Sequence, residues 1–499
     1  MNNTNKEIIN TDKNKEIKSS PNLLSSENMK RYLIVLGVIF GIIGIFYLIS
    51  FTFRINIAPN LGGNLGGNPP QGGGRPQVGR GPTPGLRVNI WPIWGYFSLP
   101  NIFGLMISIG LFVSFFFFIK YIYKNEVNLN IYLTTLIGIL LIIGSNLING
   151  WNQGIAGAIS QDITQGGELF NDAIKINNLC QFISNYENLQ PTLGVHSKTH
   201  PPGAVISIYL VYLVFKDPGL IAIALCVIAT LLSVYFLNGI YKRYFEENHK
   251  NYMIFLFLLL PAVQIYYLAN IYALVVAFIL GVIYYYYHPN KKKRIIGSII
   301  CLFFATFISF MAGFIVLCLF IFELLRTWKI KDFKDENNRK AKFIDYIKNL
   351  QKLIIITLGL MAIYGLFLVV FGFNYLNAFF YAAQSESGGG FILFTNPLRY
   401  IATRVGDILD ILIFFGPILI VLCYYGFKTL KKDSGISKDS LQMYLLALSA
   451  IIALLIIFLT GAYDHGETAR AAIYIYPFLL LPVAIYLKNE NFSQNEKKK

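Results

Sequence analysis

Apolar stretches of about 20 residues recur along the chain between short polar segments, and that is the length a helix needs to cross roughly 30 Å of hydrocarbon. Thirteen such runs stand near 31–53, 101–123, 131–149, 204–216, 219–241, 251–268, 270–287, 294–309, 311–327, 353–373, 405–427, 441–460 and 471–487. The pattern predicts an all-α polytopic membrane protein. The run at 204–216 would reach only about 20 Å as a helix, too short to cross, and reads as a re-entrant or interfacial helix. About twelve transmembrane helices remain. The continuous apolar stretch 294–326 is read as two short helices, because one long span would export the nine basic residues of 326–352.

Charge fixes the orientation of these spans. With twelve of them, 32 of the 42 Lys and Arg residues fall on one side, in the two tails and in loops around Lys124, Lys242, Lys291 to Arg294, Arg326 to Lys352 and Lys428 to Lys438. Basic residues favour the cytoplasmic side, so both termini are expected there. The net charge of +16 thus follows the membrane topology, and no nucleic-acid partner is implied. Charged residues make up 14% of the 499 positions, well under the quarter or so usual in soluble domains. The expected organisation is a cytoplasmic tail (1–30), a first transmembrane anchor (31–53) retained for want of a small-residue cleavage site, an external tether (54–100), a transmembrane domain (101–490) and a second tail (491–499). External loops are expected at 150–203, 374–404 and 461–470. Four of the five cysteines lie in apolar spans and only Cys180 looks accessible, which excludes a disulfide framework.

The tether contains NLGGNLGGNPPQGGGRPQVGRGPTPG, in which almost no side chain is large enough to bury, so ordering it would not be offset. A phosphate-cradling loop would need a strand before it and a helix after it. The stretch reads as a flexible linker, with a surface built on Arg75, Arg80 and Arg87 as the alternative. Trp91 and Trp94, which follow, suit anchoring at a membrane interface.

Chemistry-bearing residues concentrate in the outer loops. These hold His196, His200 and His465 with the acids Asp162, Glu168, Asp172, Glu187, Glu386, Asp464 and Glu467, whereas the spans are nearly free of charge. In SQDITQGGELFNDAIKI, Glu168 and Asp172 are four apart and share a face if helical. Two nearby carboxylates raise the proton affinity of one, which suits a general base; acids at a helix start are the plainer explanation. In HSKTHPPG, His196, Lys198 and His200 precede two prolines that stiffen the chain, which would hold proton-donating groups where a lipid phosphate sits. A zinc site lacks a third ligand there, and a divalent metal is not required by the sequence. GAYDHGETARAA supplies Glu467 and Arg470, either an ion pair or an anion clamp. In TNPLRYIATRVGDILD, Arg404 and Asp407 are spaced to pair, leaving Arg399 to anchor the interface or meet an anion.

The run THPPGAVISIYLVYLVFKDPG, leading to a span that ends near YKRYF, and the closing GETARAAIYIYPFLLLPVA together resemble the GT-C superfamily of membrane glycosyltransferases, of protein mannosyltransferase or aminoarabinose transferase type. The resemblance covers roughly 130–490. It implies a GT-C-like fold, a polyprenyl-phosphate sugar donor in the membrane lipid, and transfer to an acceptor at the outer face of the cell membrane. It further implies a catalytic base in the acidic loop, at Asp172 or else Glu168 or Asp162, and His196, Lys198, His200 and Arg470 around the lipid phosphate. The chain departs from the commonest pattern in lacking an adjacent acidic pair in that loop and in carrying extra spans and the tether before it. A lipid-linked glycan polymerase or ligase, or a twelve-span secondary transporter, fits the same topology.

Overall fold

The computed structural model describes residues 26–53, 86–90, 93–97, 99–125, 129–160, 165–329, 336–386, 391–432, 438–463 and 468–498. Helix follows helix because, in hydrocarbon, a single segment satisfies its own backbone polar groups only by coiling. Among the described residues seven helices are long and apolar enough to cross a membrane: Met29–Leu48, Ile102–Ile122, Ile131–Asn149, Pro218–Tyr241, Phe310–Thr327, Tyr346–Phe371 and Asp439–Leu459. The protein is a polytopic helical membrane protein. Counting the bent pair Pro397–Phe415 and Pro417–Thr429 as one span gives eight; the remaining predicted spans form shorter or broken helices.

Two expectations about breaks hold. The 204–216 run forms Gly203–Val214, only 12 residues long. The 294–326 stretch divides at Ser309, whose extended backbone separates Lys291–Ile308 from the turn Phe310–Gly313 and the helix Phe314–Lys329. Other runs are corrected. The 251–268 run is two helices, Glu247–Leu258 and Pro261–Tyr266, since Pro261 removes an amide donor and its ring obstructs the preceding turn. The 405–427 run starts earlier and bends by 99° between Phe415 and Pro417, at Gly416 with φ +95. After the Gly-rich stretch, Leu86–Ile90 pairs antiparallel with Ile93–Phe97, placing Trp94 opposite Asn89. Branched and aromatic residues in both segments favour a strand. Residues 54–85 and Trp91 lie outside the described residues.

The helices are apolar all round, so each must be buried in protein or face lipid. The end of the chain takes the first course, with residues 471–486 buried throughout, the last helix packing chiefly on Pro417–Lys432 and Lys438–Leu459 and the turn Ile473–Ile475 on Ile271–Tyr286. Met29–Leu48, Ile102–Ile122 and Tyr346–Phe371 take the second, with 11% of each window buried. This core brings the start of Ile271–Tyr286 and the loop before the last helix to the same end of the bundle as segment 150–203.

Candidate functional site

Segment 150–203 is a string of short helices. Gln165–Ala173 carries Glu168 and Asp172, and the four-residue spacing does bring them to one turn of backbone. Asp172 Oδ2 accepts the Gly194 amide at 2.9 Å and Glu168 Oε2 accepts the His196 amide at 2.6 Å. The first N–H groups of a helix lack internal partners; here two carboxylates serve Val195–Lys198, which carries His196 and Lys198. Asp172 is 5% exposed, and its other oxygen lies 3.1 Å from Lys175 Nζ. Both oxygens are engaged, so in this structure Asp172 anchors the His196–Lys198 turn. Asp162 lies outside the described residues.

The far end of that turn is tied to a helix that the sequence reading did not anticipate, Tyr375–Glu386. Gln190, 1% exposed, donates through Nε2 to the carbonyls of Lys198 at 2.8 Å and Ala378 at 3.0 Å. Glu187 accepts the Asn374 amide at 2.7 Å and Asn377 Nδ2 at 3.0 Å. The buried Tyr186 hydroxyl is shared between the Ser197 and His200 carbonyls.

His200 is 5% exposed. Its Nδ1 lies 2.6 Å from the His196 carbonyl and its Nε2 lies 2.9 Å from the Tyr272 hydroxyl. A carbonyl only accepts, so the network assigns the proton to Nδ1, and Nε2 accepts from Tyr272. Burial, then the His196 ring and the Arg470 charge, push its pKa down to about 3, leaving it neutral near pH 7. The imidazole expected at the phosphate is here uncharged and has both nitrogens engaged, one of them with Tyr272. The two prolines deliver the chain to Gly203, where a side-chain carbon would run into the Phe307 carbonyl. The stiff mouth of Gly203–Val214 is thereby seated on Lys291–Ile308.

The last loop repeats the device. Buried Arg404 donates to the carbonyls of Phe458, at 2.6 Å, and Ala462, and pairs with Asp407 at 3.4 Å as the spacing predicted. Asp407 accepts from the Thr468 hydroxyl, and Asp410 accepts the Ala469 amide at 2.7 Å. Two carboxylates one turn apart again hold a short helix, Thr468–Ala471, and this one carries Arg470. The Arg470 charge acts on His200, so turns from distant parts of the chain lie within electrostatic reach of each other. Arg399 is half-buried in the first turn of Pro397–Phe415, its amide taken by Asn396 at 3.1 Å. Glu467 lies outside the described residues.

Tyrosines fill the space between these turns. The hydroxyls of Tyr463 and Tyr474 are 2.7 Å apart, and Tyr272 lies within electrostatic reach of both. Tyr463 has φ +63, uncommon for a residue with a side chain. Glu386 also acts on Tyr463. Water reaches Glu386, yet enough protein surrounds it that desolvation pushes its carboxyl up to about 7. This residue was among the outer acids of the sequence but carried no assigned role, because its helix and its neighbours were not legible there. Among the described residues no three His, Cys, Asp or Glu side chains gather to hold a metal ion. Comparison with known proteins gives no relative: no family model, curated protein or solved structure matches the chain.

Proposed function

We propose that the protein is a membrane glycosyltransferase that moves a sugar from a polyprenyl-phosphate donor to an acceptor at the outer face of the cell membrane. In this reading the chain has a GT-C-like arrangement of twelve spans with both termini cytoplasmic. The observation that carries it is the built His196–His200 turn, anchored by Glu168 and Asp172 and within the electrostatic reach of Arg470, beside a helix too short to cross the membrane. Leu210, Leu213 and Val214 of that helix are exposed, an apolar path suited to a lipid tail. Lys198 and Arg470 would meet the phosphate where the tail ends, with Arg399 at the rim.

The chemistry is a single inverting displacement. The acceptor oxygen bonds to the anomeric carbon as the carbon–oxygen bond to phosphate breaks, and the bonding pair leaves with the polyprenyl phosphate. Cations held beforehand stabilise that developing charge without reorganising. Holding them beforehand is what the Glu168–Asp172 and Asp407–Asp410 pairs do, through backbone amides and the Thr468 hydroxyl of the turns that carry Lys198 and Arg470.

Purified protein in nanodiscs, incubated with polyprenyl-phosphate hexoses and pentoses, should release polyprenyl phosphate. Arg470→Ala should raise the donor KM roughly ten- to a hundredfold, since a hydrogen bond to a charged group contributes about 1.5–3 kcal/mol. Turnover of polyprenyl-diphosphate sugars alone would favour the polymerase or ligase reading, and solute uptake into vesicles without lipid turnover would favour the transporter.

A further inference from the structure

Every transfer to a hydroxyl needs a group to receive its proton, and the acidic loop does not offer an evident one among the described residues. Asp172 has both oxygens engaged, Glu187 holds the start of Tyr375–Glu386, and Glu168 holds the His196 amide. Asp407 and Asp410 hold Thr468 and Ala469. Glu386 differs from all of these: no hydrogen bond or ion pair with it is found among the described residues. It ends its helix, where an acid works against the helix dipole, so the helix gains no stability from it.

We propose that Glu386 is the general base of the transfer, receiving the acceptor's proton opposite Tyr463 at the site closed by the His196–His200 turn. The assignment rests on the transferase reading and names the group that reading lacks. Three observations locate it. Ala378, on the same helix, is bridged through Gln190 to Lys198, and Glu386 lies eight residues, about 12 Å, further along. Phe391, just beyond, lies 3.4 Å from where a side chain would start at Gly461, which sets this segment beside the last loop. Tyr463 in that loop keeps a left-handed backbone, a kind of strain that collects at functional sites.

In the step, the acceptor oxygen attacks the anomeric carbon, its proton passes to a Glu386 carboxylate oxygen, and the electron pair of the broken carbon–oxygen bond leaves on the phosphate. The carboxyl raised to about 7 supports this role, because a base titrating near the working pH is ionised often enough and still holds a proton well.

The test is donor turnover by the full-length protein in nanodiscs, read as polyprenyl phosphate released from a polyprenyl-phosphate hexose, with water as the acceptor. Glu386→Gln should lower kcat by about a hundredfold or more, the usual contribution of a general base, with donor KM unchanged. Glu386→Asp should recover part of the rate. A Glu386→Gln protein that turns over like wild type overturns the assignment alone. So does one that loses folded yield and donor binding together, which would mark a structural residue. A wild-type protein inert toward all such lipids overturns the transferase reading and this assignment with it.

Discussion

His200 shows how far a residue's surroundings can move it from the role its type suggests. An unfolded chain takes up a proton at His200 near its ordinary value of 6.5, whereas the folded protein keeps it neutral down to about 3. Between those values the unfolded state binds the extra proton, so the contribution to stability is complete above the unfolded value and is lost as the pH falls. The loss is about 1.4 kcal/mol per pH unit. Thermal unfolding in detergent should therefore show wild type losing more stability than His200→Gln between pH values of about 7.5 and 5. Equal losses would mean that His200 is already charged in the folded protein. The four acids Glu168, Asp172, Asp407 and Asp410 teach the same lesson. The four-residue spacing of Glu168 and Asp172 was legible, and each pair does share a turn, but the sequence does not say that the partners are three amides and the Thr468 hydroxyl, about 25 and 60 residues onward.

At the scale of elements, the breaks matter as much as the helices. The dipeptide at Gly416 and Pro417 is a strong local breaker, yet the apolar pattern runs through it, and only the bend of 99° reveals two helices. Gly416 sits at φ +95 and ψ 141 with nothing within 4 Å of where a side chain would start. Gly416→Ala should therefore lose about 1–3 kcal/mol through backbone strain alone, read as a lower unfolding temperature in detergent. An unchanged midpoint would show that the pair is not bent there. The Tyr375–Glu386 helix is the opposite case. Its apolar residues run without a break over 378–383 but too briefly to announce a span, and it is fixed from outside, by Glu187 at its start and Gln190 along its length.

For the whole molecule, the charge map predicts that segment 150–203 is external, and the structure supplies a native probe of that prediction. Cys180 is exposed, while Cys226, Cys301, Cys318 and Cys423 are buried. A membrane-impermeant maleimide should label the protein on intact cells, and Cys180→Ser should abolish the signal. Labelling that required permeabilised cells would invert the proposed orientation and put the candidate site on the cytoplasmic side.

The sequence by itself determined that this chain lives in a membrane as helices, because apolar length and backbone hydrogen bonding leave few other solutions. It also determined that the Gly203–Val214 run is too short to span. Those are local properties, set within one or two turns. The burial of the last helix, the neutral state of His200, the anchoring work of Asp172 and the electrostatic action of Glu386 on Tyr463 were decided only by tertiary structure. Each depends on a contact between segments far apart in the chain, and a helix that is apolar on every side carries no mark of which neighbour it will meet.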